Sequence, residues 1–199
     1  MDRIKPIKSL GQNFLNDKNI ARLIVNSINC QPNDYIVEIG PGTGSLTELL
    51  LENPIKLLCI EIDKRAVEVL SSKFNSYLGN KLVIIQENIL NINFKELFKS
   101  LGVNQKLKFI GNIPYNISSQ ILFGLYENAE LIETAVIMVQ KEVAQRITSN
   151  YGNKVYGILS VATKLVCNSK ILFDVSPNCF FPKPNVVSSV LKFPVFLMK

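Results

Sequence analysis

The sequence predicts a doubly wound α/β fold whose mostly parallel sheet ends in an antiparallel hairpin. Three observations predict it. Five apolar runs of strand length alternate with helical patterns along the first 140 residues. Those runs are nearly continuous in Val, Ile and Leu, as expected of strands covered on both faces. After about residue 165 the alternation gives way to two further runs joined by a Pro-rich loop.

The elements follow in order. "NDKNIARLIVNSI" (16–28) has helical apolar spacing, with Asn16 or Asp17 available as the cap. Strands are expected at 34–40, 56–62, 81–87, 106–112 and 133–140. Between them, 45–54, 63–78, 94–102 and 118–129 read as helices, and Lys141 and Arg146 flank another after "IMVQ". Repeated strand–helix units of this length imply right-handed crossovers. "KILFDV" (170–175) and "VVSSVLKFPV" (186–195), joined by "SPNCFFPKPN" (176–185), supply the hairpin. No repeat, low-complexity tract or linker interrupts the chain, so residues 1–199 are expected to form one domain.

Composition narrows the chemistry. The 199 residues are 47 % hydrophobic, enough for a sizeable core, and carry a net charge of +6, which permits a nucleic-acid partner without requiring one. No apolar run is long enough to cross a membrane, and "MDRIKPIKSLGQNF" lacks the apolar centre of a signal peptide, so a soluble cytoplasmic protein is expected. Cys30, Cys59, Cys167 and Cys179 have no metal-like spacing and read as free thiols, Cys59 as a small buried hydrophobe. The chain has no histidine, which removes Ser-His, Cys-His and zinc-His chemistries together.

The first strand–helix turn, "VEIGPGTGSLTELL", places Gly40, Gly42 and Gly44 where ligands of open α/β sheets bind. The spacing is G-x-G-x-G, with Ser45 where the dinucleotide fingerprint has its third glycine. A nucleoside-bearing cofactor, NAD, or a tight turn without a ligand all fit that turn alone. Glu61 stands near the end of "LLCIEI", where a carboxylate can accept from both ribose hydroxyls of a cofactor lying over the glycines. It points to a ribose and leaves the cofactor open.

"GNIPYNISS" (111–119) ends the fourth strand. The exocyclic amine of adenine is a poor nucleophile because its lone pair is delocalised into the ring. Two acceptors aimed at its N–H groups draw that pair out of conjugation towards an electrophile. The Asn112 side-chain oxygen and the Ile113 carbonyl can serve, since Pro114 restricts Ile113 to an extended conformation. Tyr115 offers a flat face for stacking. If the electrophile is a sulfonium methyl, the methylated amine is acidic and its proton leaves to water, so no histidine is needed. A plain strand-ending turn with Tyr115 in the core is the alternative.

"LGQNFLND", "VEIGPGTGSLT", "IEID", "GNIPYNISS", "MVQKEVAQRI", "YGILSV" and "FFPKPNVVSSV" together resemble the KsgA-type ribosomal RNA adenine dimethyltransferases. The match runs in order from about Lys8 to Phe193. The resemblance implies a Rossmann-like fold dependent on S-adenosyl-L-methionine. It also implies dimethylation of two adjacent adenosines in a hairpin loop near the 3′ end of small-subunit rRNA, with a role in ribosome biogenesis.

By the same resemblance, Asn13 and Leu15 lie over the methionine end of the cofactor, on a segment that closes on binding. Gly40 lies under the cofactor, where the reading of the turn also puts Gly42, Glu61 takes its ribose, and Asn112 sits between cofactor and target base. Phe180, heading F-x-P-x-P-x-V-x-S, would stack on the target adenine opposite Tyr115. From the residues alone, Phe180 is an aromatic in a Pro-stiffened loop, with a core plug as the alternative.

Two departures stand out. Relatives carry an Asp after the third strand, where this chain has Asn88, which accepts from the cofactor adenine without the charge-assisted part of the bond. Glu87 could substitute if the register slips. Relatives also continue into a small helical domain that grips RNA, whereas this sequence ends at "FPVFLMK". Cofactor binding is expected to survive without that domain, and RNA affinity and docking to depend on it.

The expected partner is small-subunit rRNA in a pre-30S particle, bound by a monomer with no membrane and no metal. Arg3, Lys5, Lys8, Lys18 and Arg22 outnumber Asp2 and Asp17 in the first thirty residues and could meet phosphates. The target adenosine must be splayed out of a loop to be reached. Competing readings are a large-subunit rRNA methylase of the antibiotic-resistance type, a non-catalytic RNA-binding assembly factor, and a dehydrogenase.

Overall fold

Alternating side chains along the apolar runs face two separate cores, and that division explains the architecture of the computed structural model, which describes residues 4–194. The described chain runs β1 (Phe14–Leu15), α1 (Lys18–Ile28), β2 (Tyr35–Ile39), α2 (Ser45–Leu50), β3 (Lys56–Glu61), α3 (Lys64–Lys73) and β4 (Leu82–Gln86). It continues through α4 (Phe94–Ser100), β5 (Leu107–Asn112), α5 (Ser118–Glu127), β6 (Ile132–Gln140), α6 (Lys141–Thr148) and α7 (Ile158–Val166). It closes with β7 (Lys170–Val175), β8 (Phe180–Phe181) and β9 (Ser188–Pro194).

On β2, Val37 and Ile39 pack with α4, α5 and α6, while Ile36 packs with α1, α2 and α3. β3 repeats the alternation, Leu58 and Ile60 one way, Leu57 and Cys59 the other. Strands buried on both faces read as continuous apolar runs.

Seven strands hydrogen-bond in the order β4-β3-β2-β5-β6-β9-β7. β2 is parallel to both β3 and β5, and β5 is parallel to β6. β9 is antiparallel to β6 and to β7. The expected antiparallel pair is therefore present at the end of the sheet, with β9 lying between β6 and β7 and β7 forming the edge.

The Pro-rich connection between that pair also carries a short strand. Phe180 and Phe181 pair with Leu15 and Phe14 in a small antiparallel ladder. Asp17 caps α1, accepting from the Asn19 and Ile20 amides at 2.9 and 3.1 Å, an arrangement worth roughly 0.5–2 kcal/mol. Two expected helices are shorter than their patterns: α2 stops at Leu50, and α3 stops at Lys73 before a 3-10 turn over Asn75–Tyr77. Phe74 turns its ring into the core there, against the Gly44 backbone. The four cysteines are free thiols, and Cys59 is wholly buried. No helix among the described residues is long and apolar enough to cross a membrane.

Candidate active site

β2 has one parallel neighbour on each side, β3 and β5, so the connections leaving its end diverge and open a crevice, as at other switch points of open sheets. A cleft of about 240 Å³ lies there. Residues 9–15 form one wall, and residues 38–43, 45–46, 60–62, 87–90 and 112–117 supply the rest from the ends of β2, β3, β4 and β5 and the start of α2. Asn13, Leu15, Gly40, Gly42, Glu61, Asn88, Asn112, Ile113, Pro114 and Tyr115 all line it. Residues 112 and 113 thus line the same crevice as the glycine turn.

The glycine turn is shaped by contact as well as by conformation. Gly42 has φ +55°, and a Cβ there would lie 2.9 Å from the Phe14 ring, so the N-terminal segment can lie directly on the turn only because residue 42 has no side chain. Ser45 uses its hydroxyl to hold that segment, donating to the Leu15 carbonyl at 2.5 Å.

Glu61 is buried at the end of β3. Its Oε2 accepts from the Gly42 amide at 3.0 Å and its Oε1 from the Asp63 amide at 2.9 Å. Burial raises its pKa, partly offset by those two bonds. Each oxygen keeps a second lone-pair direction for a ribose hydroxyl.

Glu38 is a site residue the sequence reading missed. It is 1 % exposed yet lines the cleft; its Oε2 accepts from the Thr47 hydroxyl at 2.7 Å and from the Cys59 thiol at 3.6 Å. Burial pushes its pKa up to about 7, with the Thr47 and Cys59 bonds opposing. The signal was available: an acid inside the apolar run "IVEIG" must be paired or used. Ile62 and Leu90 were also missed; both line the cleft while 47 and 42 % exposed, which suits a flat base.

Asn112 ends β5. Its Nδ2 donates to the Asn13 backbone carbonyl at 2.8 Å. No donor among the described residues reaches its Oδ1, and that oxygen is open to solvent. Tyr115 follows Pro114, which has φ −58° and ψ 132°. Its hydroxyl shares a 2.6 Å hydrogen bond with that of Ser188, which is fully buried at the start of β9, and burial raises the Tyr115 pKa. Asn88 caps a 3-10 turn, its Oδ1 accepting from the Leu90 amide at 3.0 Å, and Glu87 accepts from the Asn88 amide at 2.7 Å.

Phe180 is not brought to the cleft. It is 4 % exposed and packs in the core beside Leu15. The cause is strand alternation: in β8 one ring points inward and the next outward, and Phe181 is the exposed one, at 45 %. This is the position of the core-plug alternative, next to Leu15, which itself lines the cleft. Of the basic residues weighed for phosphate contact, Arg22 has an acidic neighbour in Glu52, and Arg3, with Asp2, lies outside the described residues.

S-adenosyl-L-methionine fits this donor set. It is cationic at sulfur and at its amino group, and the cleft holds two buried carboxylates, Glu38 and Glu61, whose charged forms burial disfavours. A bound cation stabilises both. The apolar lip at Ile62 and Leu90 beside Asn88 suits an adenine.

Comparison with known proteins agrees. The family model described as ribosomal RNA adenine dimethylase matches residues 4–194. The ribosomal RNA small subunit methyltransferase A of Malacoplasma penetrans is 42 % identical over 186 residues, covering 94 % of this chain and 65 % of that protein. A crystal structure of a dimethyladenosine transferase from Plasmodium falciparum superposes with TM-score 0.79 at 30 % identity, covering 91 % of this chain and 62 % of that one. The 23S rRNA methyltransferase ErmE superposes with TM-score 0.78 at 27 % identity, covering 92 % of this chain and 70 % of that one. The chain spans less than two thirds of the length of the first two. With the fold, the cleft and a family model spanning nearly all its residues in agreement, the chain belongs to the ribosomal RNA adenine dimethylase family, whose members use S-adenosyl-L-methionine.

Proposed function

We propose that this chain transfers methyl groups to the exocyclic amines of two adjacent adenosines in a hairpin loop near the 3′ end of small-subunit rRNA. The observation that carries the reading is the Asn112 amide. Its nitrogen is committed to the Asn13 carbonyl, which leaves its oxygen as an acceptor in the cleft beside the glycine turn.

When bound, S-adenosyl-L-methionine supplies a methyl carbon to the amine as the carbon–sulfur bond breaks. The protein's part is to make the amine nucleophilic. Asn112 Oδ1 and the Ile113 carbonyl accept its two N–H groups, and Pro114 keeps Ile113 extended so that its oxygen keeps its direction. Tyr115 stacks on the base, worth roughly 1–3 kcal/mol, with its ring held by the Ser188 hydroxyl. The proton of the methylated amine passes to water, consistent with a chain that contains no histidine. Glu61 holds the ribose and Glu38 the positive charge nearby.

The substrate in this reading is a pre-30S particle, met by a cytoplasmic monomer acting in small-subunit biogenesis. Methyl transfer to under-methylated small-subunit particles, compared with naked large-subunit rRNA, tests it. Labelling of the small-subunit particles supports the proposal. Labelling of large-subunit rRNA alone would assign the activity seen in the name of the ErmE relative.

A further inference from the structure

The Asn112 amide needs a reason to present its oxygen and not its nitrogen to the cleft. The Asn13 carbonyl supplies it. A carbonyl only accepts, so turning the amide over would set two oxygens against each other at the 2.8 Å contact. Whatever places the Asn13 carbonyl therefore sets the orientation of Asn112.

Asn13 does not place itself: its own side chain donates only to the nearby Gly11 carbonyl, at 3.2 Å. Its neighbours are tethered instead. On one side Gln12 Nε2 donates to Asp63 Oδ2 at 2.8 Å, across 51 positions of sequence, while Gln12 Oε1 accepts from the Ile7 amide at 2.8 Å. On the other side Ser45 holds the Leu15 carbonyl. Asp63 is 6 % exposed and clamped by Arg65, whose Nε and Nη2 donate to it at 3.0 and 2.6 Å. The Asp63 amide donates to Glu61, which accepts from Gly42. An unbroken series of bonds thus runs from the glycine turn through Glu61, Asp63 and Gln12 to the peptide that holds Asn112.

We propose that Gln12 is a positioning residue for the reaction at Asn112: latched to Asp63, it holds the Asn13 carbonyl where it keeps the Asn112 oxygen facing the target amine. The proposal deepens the function given above and rests on it for the role of Asn112. Gln12 itself touches neither the target base nor the reacting atoms in this scheme. A purely structural staple would have a different signature, lowering stability alone.

The test uses Gln12→Ala and Gln12→Asn, the second too short by one methylene to reach Asp63 yet still polar. In the protein without cofactor or RNA, the Asn112 side-chain amide resonance, identified by its loss in Asn112→Ala, reports the bond to Asn13. Both Gln12 variants should shift that resonance and speed its hydrogen exchange. With cofactor and small-subunit particles, kcat should fall about fivefold to tenfold, the equivalent of one hydrogen bond, while KM for the particles changes less than about twofold. An unmoved Asn112 resonance, or unchanged kcat with only a lower melting temperature, overturns the proposal. If the unmodified chain methylates no RNA, the function above fails, whereas the resonance measurement still decides whether Gln12 orients Asn112.

Discussion

The Tyr115 hydroxyl lies 2.6 Å from that of Ser188, joining the end of β5 to the start of β9 across 73 positions of sequence. Ser188 is fully buried, so this contact fixes a ring that lines the cleft from a point inside the core. Replacing Ser188 with Ala leaves the tyrosine hydroxyl without its partner and should cost about 1 kcal/mol of stability. Methyl transfer should fall several-fold while calorimetric affinity for S-adenosyl-L-methionine holds. Tyr115→Ala should weaken binding of the RNA loop by an amount set by lost stacking, roughly 1–3 kcal/mol.

Glu38 predicts a pH dependence. Its pKa is raised by burial from 4.5 to about 7, so the folded protein holds a proton that the unfolded chain has released between those values. The stability from this group is fully present below the unfolded value and is lost as pH rises through about 7, an effect of about 3 kcal/mol at most. A cationic cofactor favours the ionised carboxylate, so its affinity should rise with pH up to about 7 and then level. Glu38→Gln, which can still accept from Thr47, should flatten both curves. Titration calorimetry in buffers of different ionisation enthalpy reads the proton release directly.

The parts of this fold set by local pattern were legible in the chain. Ile36, Val37 and Ile39 make an apolar run interrupted only by Glu38, and they form a central strand buried on both faces. Of the two residues available to cap the first helix, Asn16 and Asp17, it is Asp17 that caps it. Contacts between distant positions were not legible. Nothing near Phe180 in sequence says that it pairs with Leu15, and that pairing turned its ring inward. The Gln12–Asp63 bond and the insertion of β9 between β6 and β7 are likewise products of tertiary packing. Glu38 was a different case: its position in an apolar strand marked it, since an isolated buried acid is costly.

Gly42→Ala tests the contact between the glycine turn and residues 12–15. At φ +55° a side chain costs roughly 1–2 kcal/mol, and the new Cβ would sit 2.9 Å from the Phe14 ring. The segment must lift. A lower denaturant midpoint together with faster amide exchange at Phe14 and Leu15 is expected, and cofactor affinity should drop with them.

Asn88→Asp should tighten cofactor binding about threefold to tenfold by restoring a charge-assisted acceptor. The cap to the Leu90 amide survives the change, because Asp accepts as well as Asn. Unchanged calorimetric affinity would place the cofactor adenine away from this side chain.

The most direct measurement is mass spectrometry of small-subunit rRNA after incubation of under-methylated particles with the protein and isotope-labelled S-adenosyl-L-methionine. The unmodified chain should leave two labelled methyls on each of two adjacent adenosines near the 3′ end. Asn112→Ala, folded to the same melting temperature, should leave none. Equal labelling by Asn112→Ala would contradict the claim that this amide oxygen makes the amine reactive.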